Sequence, residues 1–162
     1  MEVTKTAAIA GMEISEIESR IDEKQLKQLM EKIRRAKKIY VCGAGRSLLM
    51  LRCFAMRLMH VGYDAYVVGD TTTPAFEEGD LLIVGTASGE TTNLISIADR
   101  AKSYGGTIAV CSIFPESSLG KRADAFVRIP AYTDKLPESD DNKKNILPGG
   151  SMFEISMLAL FD

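Results

Sequence analysis

The sequence has no tryptophan, a single histidine and only three cysteines among its 162 residues. Cys42, Cys53 and Cys111 are far apart and stand in apolar stretches, so they predict buried thiols of a reducing compartment rather than a disulfide framework. One histidine and no close pair of cysteines exclude the ligand spacings of a zinc site. We therefore expect no metal site and no disulfide bond.

An excess of charge of one sign and long hydrophobic runs are also missing. The chain has 20 Lys and Arg residues against 22 Asp and Glu, a net charge of -2, so it has no general attraction for nucleic acid or an anionic membrane. No segment approaches the roughly 20 apolar residues that span a bilayer, and the first residues do not resemble a signal peptide. These absences predict a cytoplasmic protein without nucleic-acid or membrane partners.

What the chain does have is the length and apolar content of one ordinary domain. Hydrophobic residues make up 46% of the sequence and charged residues 26%, a balance typical of soluble globular proteins. Helical spacing in residues 1–38, with Asp22 and Gln25 resembling a capping box, predicts two helices joined near Asp22. We expect these helices to pack on residues 39–162 and to form one structural domain with them.

From residue 39 onward, short apolar segments alternate with segments of helical spacing at 47–61 and 92–104. The predicted strands are Ile39–Cys42, Ala65–Val68, Leu81–Val84, Thr107–Cys111 and Ala125–Ile129. Strands that are apolar on both faces and alternate with helices predict an α/β fold with a parallel sheet covered on both sides. Ligands of such sheets bind beyond the carboxyl ends of the strands.

A polar, proline-flanked segment, Tyr132–Pro148, predicts a long loop. Loops of this length are uncommon without a purpose and often border a site. We expect this loop to lie beside the ligand, where it could act as a lid.

The strongest local signal is Thr86-Ala87-Ser88-Gly89-Glu90-Thr91, which follows the third predicted strand. It offers three hydroxyl groups at the start of a helix, where unpaired N–H groups and the helix dipole favour a phosphate. We therefore predict a phosphate-binding loop at residues 86–91. The alternative is that Ser88 or Thr91 only caps the helix.

A second candidate loop, Gly43-Ala44-Gly45-Arg46-Ser47, follows the first predicted strand. Its glycines allow a sharp turn and a close approach to a ligand, although it has neither a Rossmann fingerprint nor a Walker lysine. Arg46 stands where a helix begins, and the helix dipole disfavours a cation there. An anionic or polyhydroxylated ligand near Gly45, Arg46 and Ser47 would explain this charge; the alternative is an arginine that points into solvent.

Two further residues are candidates for proton transfer. Glu154, at the start of the final predicted helix, could move a proton between adjacent carbons, but Ser151-Met152-Phe153-Glu154 also fits a capping box. His60 could transfer a proton at neutral pH, or it could interact with the last carbonyls of its own helix. The residues themselves leave both alternatives open.

Three segments together resemble the sugar isomerase (SIS) domain family, namely Val41–Ser47, Ala55–Gly62 and Ser88–Thr91. The likeness is greatest to the 6-phospho-3-hexuloisomerases within that family, which the segments Val67–Asp70, Thr73–Ala75 and Pro148–Glu154 also resemble. The order and spacing of the segments match over nearly the whole chain. This combination is more specific than any one motif.

The resemblance implies a three-layer α-β-α sandwich with a five-stranded, flavodoxin-like parallel sheet, and a homotetramer or dimer with sites near subunit contacts. It implies interconversion of D-arabino-hex-3-ulose 6-phosphate and D-fructose 6-phosphate, a step of the ribulose monophosphate pathway, without a metal or organic cofactor. By the same resemblance Glu154 would be the base of an enediol mechanism, and His60, from the same or a neighbouring subunit, would assist at an oxygen. The phosphate would be held by backbone N–H groups and the hydroxyls of Ser47, Thr86, Ser88 and Thr91.

The sequence departs from the family at several positions. Thr86 replaces a frequent serine, Leu48 replaces a frequent glycine, and Gly149-Gly150 replaces a more usual Met-Gly. Relatives also continue past the position of Asp162 to a tail with another histidine, and a chain without that tail could bind without turnover. Two alternatives therefore stay open: a non-catalytic phosphosugar-binding regulatory module, and an isomerase of another phosphosugar such as arabinose 5-phosphate.

Overall fold

The computed structural model describes residues 2–140 and 142–162. Two helices come first, α1 (Val3–Ser19) and α2 (Glu23–Arg35). The remaining helices are α3 (Gly45–His60), α4 (Thr92–Ser103) and α5 (Ser151–Phe161), with a short 3-10 turn at Gly120–Arg122. The strands are β1 (Ile39–Gly43), β2 (Ala65–Val67), β3 (Leu81–Gly85), β4 (Thr107–Ser112) and β5 (Ala125–Arg128).

The predicted strands and helices are confirmed almost residue for residue. All strand pairs are parallel and the order is β2-β1-β3-β4-β5, which is the flavodoxin-like doubly wound arrangement. The order reverses between β1 and β3, so their carboxyl ends flank the topological switch point. The loops after Gly43 and Gly85 therefore leave the sheet side by side.

Both faces of the sheet are covered, because alternate residues of each strand point to opposite sides. Along β1, Ile39 and Val41 pack in the core that includes residues of α1, α2, α3 and α5, whereas Tyr40 and Cys42 pack in the core that includes residues of α4. The prediction of a three-layer α-β-α sandwich is thus confirmed.

The turn between the first two helices lies where the sequence predicts it, but only half of the expected capping box forms. The Asp22 side chain accepts a 2.8 Å hydrogen bond from the Lys24 N–H group. The Gln25 side chain does not complete the box, because its oxygen instead accepts from the Arg128 N–H group at 2.8 Å. This bond fastens α2 to the edge strand β5.

The expectation of three buried cysteines is wrong for one of them. Cys42 and Cys111 are buried, and burial raises the pKa of the Cys42 thiol to about 11 and that of Cys111 to about 12. Cys53 is exposed, because the inward face of α3 is formed by Leu51, Phe54 and Leu58, and a helical period turns position 53 outward.

Among the described residues, none of the helices has both the length and the apolar character required to cross a membrane. Within the same residues, no group of three or more His, Cys, Asp and Glu side chains could hold a metal ion.

Candidate active site

A cleft of about 180 Å³ opens at the carboxyl edge of the sheet, over the ends of β1 and β3. Its walls come from the two loops that follow these strands, from the start of α5 and from the loop after β5. The residues that line it are Ala44, Gly45, Arg46, Ser47, Gly85, Thr86, Ala87, Thr91, Leu94, Thr133, Asp134, Lys135, Gly150 and Glu154.

The first wall is the turn from β1 into α3, which is tight because glycines occupy it. Gly45 has φ of +55°, a conformation that favours glycine, and a Cβ atom on Gly43 would lie 3.2 Å from the Gly85 carbonyl oxygen. The helix starts two residues earlier than the spacing predicts, at Gly45, so Arg46 and Ser47 lie in its first turn. Within the described chain no side chain caps this helix, and its first three residues line the cleft.

The second wall is the predicted phosphate-binding loop between β3 and α4. The hydroxyl oxygen of Thr86 accepts from the Gly89 N–H group and that of Ser88 from the Glu90 N–H group, both at 3.3 Å. Thr91 is the N-cap residue of α4, yet its side chain makes no capping bond to any described residue. The structure therefore shows neither Ser88 nor Thr91 as the helix cap that was the alternative.

The six residues of this loop divide into two groups. Thr86, Ala87 and Thr91 line the cleft, whereas Ser88, Gly89 and Glu90 are not among its lining residues. Gly89, with φ of +71°, turns the chain against Ser117. The Glu90 carboxylate accepts a 2.7 Å bond from the Ser118 N–H group, and this contact lowers the pKa of Glu90. These three residues give the loop its shape and fasten it to the segment after β4.

Glu154 lies opposite Arg46 across the cleft. One Glu154 carboxylate oxygen accepts a 2.5 Å bond from the Arg46 Nε group, which raises the pKa of the Arg46 guanidinium. The Glu154 side chain is only 13% exposed, whereas that of Arg46 is 62% exposed. The carboxylate is therefore held inside the site and the guanidinium approaches it from the solvent side.

The alternative of a capping box at Glu154 is not what the structure shows. The N-cap residue of α5 is Gly150, and the Ser151 N–H group donates to the Pro148 carbonyl oxygen at 3.3 Å. Ser151 is thus already inside the first turn, and Glu154 does not take part in a cap. Its carboxylate instead contacts Arg46 at the wall of the cleft.

His60 is not in the cleft of its own chain. It is exposed and is the last residue of α3, a helix of 16 residues that starts at the cleft with Gly45. At a rise of about 1.5 Å per residue, His60 lies roughly 22 Å along the axis from Gly45. A single chain therefore does not bring His60 and Glu154 together.

Sequence reasoning did not identify Thr133, Asp134 and Lys135 as residues that line the cleft. Only the length of the segment Tyr132–Pro148 indicated that this loop would border the site. Which of its residues line the cleft depends on how the loop is folded, and its first part is folded around the buried Asn142 side chain.

A family model for the SIS domain matches residues 32–139. The chain belongs to the SIS domain family. This confirms the resemblance inferred from the sequence, and the match includes both the Arg46 loop and residues 86–91.

The chain is also similar to individual members of the SIS family. It is 42% identical over 162 residues to the 3-hexulose-6-phosphate isomerase of Bacillus subtilis (strain 168), covering 100% of this chain and 86% of that protein. The protein of the same name from Methanocaldococcus jannaschii is 37% identical over 138 residues, covering 85% of this chain and 71% of that protein.

A solved structure of a hypothetical protein from Methanococcus jannaschii, for which the same molecular function was inferred, superposes with a TM-score of 0.80. That protein is 33% identical, and the match covers 97% of this chain and 85% of the other. Sequence and fold therefore agree on a sugar-phosphate isomerase of the SIS type.

Proposed function

We propose that the protein interconverts D-arabino-hex-3-ulose 6-phosphate and D-fructose 6-phosphate through an enediol intermediate, without a metal or organic cofactor. The observation that carries the proposal is the Glu154 carboxylate, held against Arg46 in a cleft beside a phosphate-binding loop. The similarity to proteins named 3-hexulose-6-phosphate isomerase supports this substrate. Isomerisation requires an anion site and a base within one substrate length, and residues 86–91 and Glu154 are our candidates for these two roles in this cleft.

The phosphate group would bind where the starts of α3 and α4 converge. Both helices begin without a side-chain cap among the described residues, so their first N–H groups and partial positive charge favour an anion. Ser47, Thr86 and Thr91 add hydroxyl groups at the same place. Ser88 contributes indirectly, since its hydroxyl supports the backbone of the loop.

The two ketoses differ only in which of two adjacent carbons carries the carbonyl group. Glu154 would take the proton from C2 of the 3-ketose, which leaves an enediolate over C2 and C3, and would return it to C3 to form the 2-ketose. Meanwhile the hydroxyl proton on O2 must leave and O3 must gain one. Arg46, adjacent to the carboxylate, is placed to stabilise the enediolate oxygen as its charge develops.

His60 remains our prediction for the group that assists proton transfer at oxygen. Because it lies at the far end of α3, we propose that it acts in the cleft of a second copy of the chain, in a homotetramer or homodimer. The pathway and the cytoplasmic location inferred from the sequence also remain proposals.

The experiment that tests the function is a coupled assay on the purified chain. Formaldehyde and ribulose 5-phosphate would generate the hex-3-ulose 6-phosphate in place, and fructose 6-phosphate formation would be followed. Rapid formation supports the proposal. No turnover, with fructose 6-phosphate still raising the melting temperature, would instead favour a regulatory binding module, and turnover of arabinose 5-phosphate alone would favour the other alternative isomerase.

Replacing the base gives the sharper test of mechanism. Glu154→Gln should lower kcat by at least about 100-fold, since it removes the proton acceptor, while protection by fructose 6-phosphate should persist. Glu116→Gln is the matched control, because Glu116 is an exposed carboxylate at the same edge of the sheet. Unchanged turnover in Glu154→Gln would remove this residue from the mechanism.

A further inference from the structure

The loop after β5 forms one wall of the cleft and brings two charged side chains to it. Asp134 and Lys135 both line the cleft, next to Thr133. Lys135 and Arg46 are the cations among the lining residues. Arg46 is already paired with Glu154, whereas the Lys135 ammonium forms no ion pair with any residue in the described part of the chain.

The hydrogen bonds of one buried side chain, Asn142, hold this wall. Asn142 is 1% exposed, and its side-chain oxygen accepts from the Thr133 N–H group at 2.8 Å. Its amide nitrogen donates to the carbonyl oxygens of Thr133, Leu136 and Pro137 at 2.9, 3.0 and 3.0 Å. One buried side chain thus closes the turn that carries Lys135.

The far end of the loop is also anchored. The Ile146 N–H group donates to the Glu13 carboxylate of α1 at 3.0 Å, and Ile146 and Leu147 pack against the main core. The backbone on both sides of Lys135 is therefore held, and the long lysine side chain extends from a defined position on the cleft wall.

A phosphate monoester carries close to two negative charges at neutral pH, and the protein itself has a net charge of -2. Helix N-termini supply only partial charges, and the charge of Arg46 is balanced by that of Glu154. We infer that Lys135 binds the phosphate group of the substrate. The inference rests on the proposed function for the identity of the ligand, and it adds a residue from a third loop to the phosphate site.

Substitution of Lys135 by methionine tests this directly, because methionine keeps the aliphatic stem and removes the charge. We expect KM for the phosphosugar to rise by about tenfold or more, with kcat changed little, since a phosphate contact acts equally on the ground state and the transition state. Binding of inorganic phosphate, measured by calorimetry, should weaken in parallel. Lys135→Arg should restore most of both properties.

Lys144→Met is the matched control, since Lys144 is an exposed lysine of the same loop outside the cleft. Equal behaviour of the Lys135 and Lys144 variants would overturn the inference, and so would a fall in kcat with unchanged KM and phosphate binding. The calorimetric readout is independent of turnover. A wild-type chain that binds phosphate through Lys135 but does not isomerise the ketose would contradict the proposed function and leave this inference standing.

Discussion

The Arg46 guanidinium and the Glu154 carboxylate come together from positions 108 residues apart in the sequence. Such a pair adds little to stability while one partner is largely in solvent, because water screens the attraction. The pair matters for position instead, because it holds the Glu154 carboxylate at the wall of the cleft. We therefore expect this pair to matter for the reaction more than for the stability of the fold.

At the same scale we predict that Arg46→Gln lowers kcat by about 100-fold, as removal of one donor to a developing oxyanion does in other enzymes. The melting temperature should change little, because the Arg46 side chain is 62% exposed and water screens its attraction to the carboxylate. Steady-state kinetics and thermal unfolding measure the two effects. Arg52→Gln is the control, since Arg52 lies on the same helix and pairs with the Asp70 carboxylate at the surface; a similar kcat loss there would contradict a specific role for Arg46.

Among the structural elements, the loops carry the site and the sheet holds them in register. β1 and β3 pair along their full length, Ile39 with Leu81 through Gly43 with Gly85, so the two loops that follow must start side by side. The loop after β5 has no such strand partner; the Asn142 side chain holds its first part, and the bond from Ile146 to Glu13 of α1 holds its far end. The hydrogen bonds of Asn142 therefore fix the backbone of this loop, as backbone pairing fixes the strands.

We predict that Asn142→Ala makes the loop after β5 more flexible. Four hydrogen bonds of the buried amide are lost, and several backbone groups are left without partners, which costs stability. KM should rise as in Lys135→Met, and limited proteolysis within residues 133–142 should become faster. Asn145→Ala is the control, because the Asn145 side-chain oxygen has no partner among the described residues. Equal KM values for the two variants would show that the loop conformation does not matter for binding.

On the scale of the whole molecule, α3 connects the cleft with a distant surface. The helix begins beside Arg46 and ends at His60, and its outer face exposes Leu49, Met56 and Met59. Exposed apolar side chains in such a row are typical of contact surfaces. The arrangement fits the proposal that His60 enters the site of another copy.

Mixed oligomers test whether His60 acts in the cleft of another copy of the chain. Glu154→Gln and His60→Ala chains should each be nearly inactive as homo-oligomers. Co-expressed with different tags and purified as hybrids, they should regain part of the activity, because some clefts then combine an intact Glu154 with an intact His60 from the neighbour. Hybrids as inactive as the separate variants would contradict a contribution across subunits, and a fully active His60→Ala protein would exclude any catalytic role for His60.

The sequence by itself determined the strands, the helices and the place of the two loops at the switch point. These features follow from local patterns: apolar runs buried on both faces, helical periodicity, and the covalent continuity of a loop with the strand before it. The same local logic located residues 86–91 and Arg46 at the ligand edge before any contact was known.

Only the tertiary structure decided where the individual side chains lie and which groups they contact. In the sequence Glu154 fits a capping box, but in the structure Gly150 is the N-cap of α5 and the Glu154 carboxylate contacts Arg46. Lys135 lines the cleft in a turn that the Asn142 side chain closes. The exposure of Cys53 likewise depends on which face of α3 is covered. The distance of His60 from the cleft depends on which end of α3 lies there. Such assignments require contacts between residues far apart in the chain, which are set by the packing of helices and loops and leave no periodic signal in the sequence.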